Sequence, residues 1–168
     1  MAVLLFVACS NALSQSDPKN INGYGKATWG MTVDEVQKAE PSCEKPKEDM
    51  NYDKAGYDGL LVKSGIDIGS SKFDVIFCFG KNGQKLVSVH LNGLEKRFPS
   101  VNERIFISLE QLLTEKYGTP SFKAEMRVSW KLPKTTIELV NSYMANIATQ
   151  VMVIYTPTEV KNTESNNL

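Results

Sequence analysis

One histidine stands in 168 residues, so a metal site built from several imidazoles is excluded. With no Cys-x-x-Cys or His-x-Glu pattern, the other common zinc spacings are missing too. No phosphate-binding loop is present. Gly23-x-Gly25 lacks the Lys-Ser/Thr pair, a third glycine at the right spacing and a preceding strand. No cofactor or metal is therefore expected. Charge of one sign is also lacking: 19 Lys and Arg balance 19 Asp and Glu, which removes the basic footprint of a nucleic-acid binder. No apolar run reaches the roughly 20 residues that span a bilayer, so no transmembrane segment is expected. What remains, 42% hydrophobic and 23% charged residues, describes one compact domain.

The N-terminus carries the clearest address. An apolar run, Ala2 to Cys9, precedes Ala12-Leu13-Ser14 and then a polar segment. This pattern predicts a signal peptide over 1–14, cleaved ahead of Gln15, and a periplasmic or secreted product. Val7-Ala8-Cys9-Ser10 offers a second reading, a lipid anchor on Cys9. No charged side chain precedes Asp17, and a start upstream of Met1 would supply the cation that usually opens such a signal. Residues 15–22 are expected to be loose, 23–156 to form the domain, and 157–168 to be a polar tail.

Removing the first fourteen residues leaves two cysteines, Cys43 and Cys78, an even number in an oxidising compartment. A disulfide between them would close a loop of about 35 residues and contribute about 3 to 4 kcal/mol. Two buried thiols are the alternative, because Cys78 lies in an apolar strand.

Two helix starts are clear. Thr32 and Glu35 make a capping box, with Met31 and Val36 as its hydrophobic staple, and Pro41 predicts a stop near Glu40. Ser100 and Glu103 repeat the box. Val101, Ile105, Leu109, Leu112, Leu113 and Tyr117 then follow at helical spacing, and Gly118 and Pro120 close the helix. Elsewhere the period is two. Leu60 to Ile68 reads as a strand, followed by Phe73/Val75/Phe77/Phe79 and Val87/Val89/Leu91 as a hairpin. A three-residue Lys81-Asn82-Gly83 loop keeps one face apolar, puts Gly83 in the left-handed position and sets Asp74 opposite His90. Met126 to Leu132, Thr135 to Val140 and Ile147 to Tyr155 supply three more strands. The fold class is thus α+β: two helix-plus-three-strand halves forming an antiparallel sheet, with the helices packed on one face. Tyr52 and Tyr57, in a Lys/Asp/Gly-rich stretch, read as loop residues.

Trp29-Gly30-Met31-Thr32-x-x-Glu35-Val36, with Lys116-Tyr117-Gly118-x-Pro120 and Trp130, resembles a group of small exported bacterial proteins. That group shares a tryptophan-glycine-x-threonine/serine helix start and a tyrosine-glycine-x-proline stop. The helix opening is also similar to that of the small lipoprotein subunit of the outer-membrane β-barrel assembly machine. The resemblance implies a helix-on-sheet exported module and transfers no catalytic residue.

Chemistry-bearing residues gather on the strand face away from the Phe row, which presents Asp74, Ile76, Cys78, Leu86, Ser88 and His90. Trp130 or Tyr143 would extend it, although Trp130 also reads as core beside Val128 and Leu132. Such a mixed face on an antiparallel sheet suits a protein or envelope partner. Binding through Asp74, Ile76, Ser88, His90 and Trp130, without catalysis, is the expected function. A small hydrolase using Ser88, His90 and Asp74 is the alternative. A Ser two residues from the His on one strand stands about 7 Å away, however, and ladder amides leave no oxyanion hole. The repeated helix-and-strand order suggests an inhibitor-like protein as a third reading.

Overall fold

The computed structural model describes residues 20–82, 84–93, 99–144 and 148–158. The expected signal peptide, Cys9, Gly83, Ile147 and most of the expected tail therefore lie outside the described residues. A short hairpin, β1 (Gly23–Tyr24) and β2 (Ala27–Thr28), leads into α1 (Val33–Ala39). The capping box forms as its spacing predicts: the Glu35 amide donates to Thr32 Oγ1 at 3.3 Å and the Thr32 amide to Glu35 Oε2 at 2.7 Å. The helix stops at Glu40, ahead of Pro41.

Four strands follow, not three: β3 (Met50–Tyr52), β4 (Tyr57–Ile68), β5 (Ser71–Gly80) and β6 (Leu86–Gly93). A single 3-10 turn, Asp53–Ala55, joins the first two. Then comes α2 (Pro99–Tyr117), and again four strands: β7 (Phe122–Ala124), β8 (Arg127–Lys131), β9 (Thr135–Met144) and β10 (Ala148–Pro157). The halves predicted with three strands each are corrected accordingly. The missed β3 and β7 are three-residue strands, too short to show an alternating pattern. The protein is α+β but dominated by its sheet.

All eight longer-range strands join one antiparallel sheet in the order β3-β4-β5-β6-β10-β9-β8-β7. The two meanders meet through their last strands, with Val89 opposite Tyr155 and Leu91 opposite Val153. One face carries the main core, where Phe77, Val89, Val153, Leu139 and Trp130 are at most 1% exposed. Both helices lie on this face. Val36 of α1 is buried there, as are Phe106, Leu109, Leu113 and Tyr117 of α2. Helix α2 begins at Pro99, so Ser100, expected as its N-cap, already lies inside the helix, and the Ser100/Glu103 box is corrected; a first-turn proline lacks only an N–H that the helix does not use. Its buried stripe is rotated from the predicted one: Leu112 is 40% exposed, whereas Phe106 is buried.

The tryptophan-glycine motifs have structural roles. Trp29 Nε1 donates to Thr135 Oγ1 at 3.0 Å, and Trp130 Nε1 donates to the Gly118 carbonyl at 2.9 Å. Gly118 takes the left-handed position at φ +89° and returns its N–H to the Thr114 carbonyl, closing α2. Both margins of the described region are tied to the sheet. Thr135 Oγ1 donates to the Ile21 carbonyl at 2.8 Å, β10 runs through Pro157, and buried Thr158 donates to the Leu132 carbonyl at 2.8 Å.

The β5–β6 register also differs from the predicted one. Gly80 and Lys85 close a four-residue loop, and a bulge follows between the Phe79/Leu86 and Cys78/Ser88 pairs. The bulge turns Leu86 into the main core, where the alternating pattern would have placed it on the opposite face. Together with the extra loop residue it slides the register by two, so that Ile76 and not Asp74 stands opposite His90. Among the described residues of the loop, Gln84 takes the left-handed position, at φ +47°.

Candidate functional site

The sheet face away from the helices divides into two parts. In the first meander it holds a small second core of Val62, Ile76 and Cys78, against which Met50, Tyr52 and Tyr57 pack. Tyr52 and Tyr57 are opposite one another on β3 and β4, and their rings lean across the sheet to His90 on β6. The three ring centroids are 5.2 to 5.6 Å apart, both tyrosines meeting the imidazole at steep angles. Tyr57 Oη lies 3.2 Å from His90 Nε2. Gly59 makes this crossing possible. A Cβ there would come within 2.7 Å of Ile76 Cγ2 and 3.0 Å of Met50 Cβ.

This cover seals the polar groups beneath it. His90 is 5% exposed, and burial pulls its imidazole down to about 4. It is therefore neutral at neutral pH. Burial likewise pushes the Cys78 thiol up to about 12, leaving no thiolate to act as a nucleophile. Tyr52 is raised mainly by desolvation, with an opposing hydrogen bond from Asn92.

The predicted site residues are thus dispersed or buried. Asp74 stands opposite Asn92, and its Oδ1 accepts the Gly65 amide at 2.9 Å, a structural bond. Ser88 is fully buried opposite Cys78 and donates to the Tyr155 carbonyl at 3.1 Å. Ile76 is 3% exposed. Trp130 is in the main core on the other side of the sheet, and the Tyr143 side chain lies outside what is described. Only Ile76, Ser88 and His90 share a neighbourhood, and it is covered. The Ser, His and Asp of the hydrolase reading form no relay, because the longer loop and the bulge together move the aspartate two residues away from the imidazole.

The predicted disulfide is also corrected. Cys43 and Cys78 are both free and buried. Cys43 packs in the main core and Cys78 in the second one, so the sheet itself separates them. A bridge needs Cα atoms within about 7 Å and Cβ vectors that converge, which the opposite faces of a sheet do not provide.

The second meander leaves its part of the face open. Val140 on β9 and Met152 and Ile154 on β10 are half-buried there, with Met152 opposite Val140 and Ile154 opposite both His90 and Glu138. Arg127 bounds this strip through a 2.6 Å ion pair to Glu138. Sequence reading missed all three apolar residues, although the alternation that put Val151, Val153 and Tyr155 in the core puts Met152 and Ile154 outside it. On the helix side, a cavity of about 550 Å³ is lined by Tyr24, Tyr117, Tyr155, Lys63, Lys116 and Glu40 among others. Its lining includes no serine, cysteine or histidine that could serve as a nucleophile with its base. Among the described residues no cluster of His, Cys, Asp or Glu could hold a metal ion, and no helix is long and apolar enough to cross a membrane. Comparison with family models, with curated proteins and with solved structures gave no match.

Proposed function

We propose that the protein is a non-enzymatic, exported binding module that engages a protein or envelope component through the sheet face opposite its helices. The observation that carries this reading is the half-buried strip of Val140, Met152 and Ile154 in the middle of an eight-stranded sheet, with neither helix packed over it. Apolar side chains at the centre of a surface and charged ones at its border are the arrangement of an interface core and rim. Buried His90, with the partly buried Tyr52 and Tyr57 packed on it, stands beside this strip and stiffens it. Ile76, Ser88 and His90 then support the surface from below and do not touch the partner. Export rests on the signal-like pattern of residues 1–14, since the paired-cysteine argument no longer contributes.

Two measurements test the proposal. A photo-crosslinking residue at Ile154 should give a discrete adduct in an envelope extract of the host, whereas the same residue at Asp34, exposed on α1, should not. Equal labelling from both positions overturns the sheet-face reading. Intact mass of the protein recovered from that extract should show a chain starting at Gln15 or at a lipidated Cys9. An uncut chain overturns export and leaves the surface argument standing.

A further inference from the structure

At the far end of the sheet from the aromatic group, β7 is a terminal strand, and its outer edge has no strand partner among the described residues. An unpaired edge presents free N–H and C=O groups and invites another strand, so sheet proteins ordinarily protect theirs with charge or cover. Here β7 is only three residues long and carries one charge, Lys123, between Phe122 and Ala124. Of the four large hydrophobic side chains that stand exposed among the described residues, Met126 at 46% and Ile107 of α2 at 49% lie beside it on the helix side, and Phe122 at 53% lies on β7 itself, in the row of Ser129 and Glu138 on the outward face. Ile107 and Met126 line a cleft of about 630 Å³ between α2 and β7. Glu103, Glu110 and Glu125 line the same cleft, and its one cation, Lys123, is taken up by an ion pair with Glu110. The cleft is apolar with a net negative border.

We infer that this cleft and the β7 edge receive an extended, cationic segment of a partner protein, which adds to the sheet as a strand alongside β7. Backbone pairing to β7 would supply affinity, apolar side chains would fill the space over Ile107 and Met126, and Lys or Arg would meet the glutamates. The charge pattern also selects against a second copy of this chain. Joining two β7 edges about a two-fold axis would bring both glutamate sets together, and like charges in an interface are strongly unfavourable. The surface is separate from the strip of Val140, Met152 and Ile154, and neither reading depends on the other.

The probe is a labelled, end-capped peptide of about seven alternating Lys and Leu residues, with an alternating Glu and Leu peptide as control, each titrated against the full chain by fluorescence anisotropy. The cationic peptide should bind, the acidic one should not, and Glu103→Lys with Glu125→Lys should weaken binding at least about tenfold. Both glutamates are exposed, so the double variant should keep its melting temperature. Bound peptide should slow amide exchange at Phe122–Ala124, which diffuse electrostatic attraction would not do, and Ile154→Lys should leave the affinity unchanged. Any one of four results overturns the inference: no binding up to about 1 mM peptide, equal binding of the acidic control, unchanged affinity in the double variant, or exchange protection elsewhere than β7. A dimer in the absence of peptide whose amide protection falls at Phe122–Ala124 would likewise overturn it, because a second copy would then occupy the edge.

Discussion

The two meanders treat the same sheet face differently. In the first, Tyr52 and Tyr57 fold over Gly59 onto His90 and seal Ile76, Cys78 and Ser88 beneath them. In the second, Val140, Met152 and Ile154 have no such cover, and Arg127 and Glu138 stand where the aromatic residues would be. The same alternation of residues thus gives a second core on one side and an open surface on the other. A polar residue on an outward face is not a binding residue until its neighbours are known. His90, chemically the most suggestive side chain on the face, is a satisfied core group.

Four measurements test this contrast. The helix-side core sets the largest effect: Trp130→Ala removes a side chain 1% exposed together with its bond to Gly118, and should cost about 4 kcal/mol in urea unfolding. The closed half of the outward face should show next as a pH dependence. Burial holds His90 at about 4, below its ordinary 6.5, so the unfolded chain takes up this proton first as the pH falls. The contribution is fully present above about pH 6.5, declines as the pH drops to about 4 and is level below that, a total of about 3 kcal/mol. His90→Gln should remove this component of the pH slope. A matched pair comes third. Ile76→Ala should cost about 2 kcal/mol, because it opens a cavity in the closed half, whereas Ile154→Ala on the open half should cost less than about 1 kcal/mol. Equal costs would mean that the two halves are covered alike. The smallest expected effect is none: a reducing agent should leave the melting temperature unchanged, because Cys43 and Cys78 are unpaired. In urea without reductant both should alkylate, and in the folded protein Cys78 should not react.

Local chemistry made much of the fold readable in advance. The Thr32/Glu35 box, the Gly118 stop and the alternation of Phe73 to Phe79 all act within a few residues, and each appears where its spacing puts it. What failed was small in sequence and large in consequence. Two three-residue strands, β3 and β7, carry too few positions to show a period. One extra loop residue and one bulge after Leu86 together moved Asp74 away from His90 and turned Leu86 inward. No local signal announces either, because a bulge is chosen by how the two strands pack and not by the residue that forms it.

The sequence by itself determined the helices, the six long strands, the placement of both helices on the Phe face and the absence of a multi-histidine metal site. Those follow from periodicity, capping and composition, which the chain carries within short windows. Only the tertiary structure decided that Cys43 and Cys78 lie on opposite sides of the sheet, that Tyr52 and Tyr57 cover His90, and that the uncovered apolar residues are Val140, Met152 and Ile154. Each of these depends on which strands are neighbours and how the sheet curves. Side chains as far apart in sequence as Tyr52 and His90, or His90 and Ile154, meet there, and no short window of sequence contains both partners.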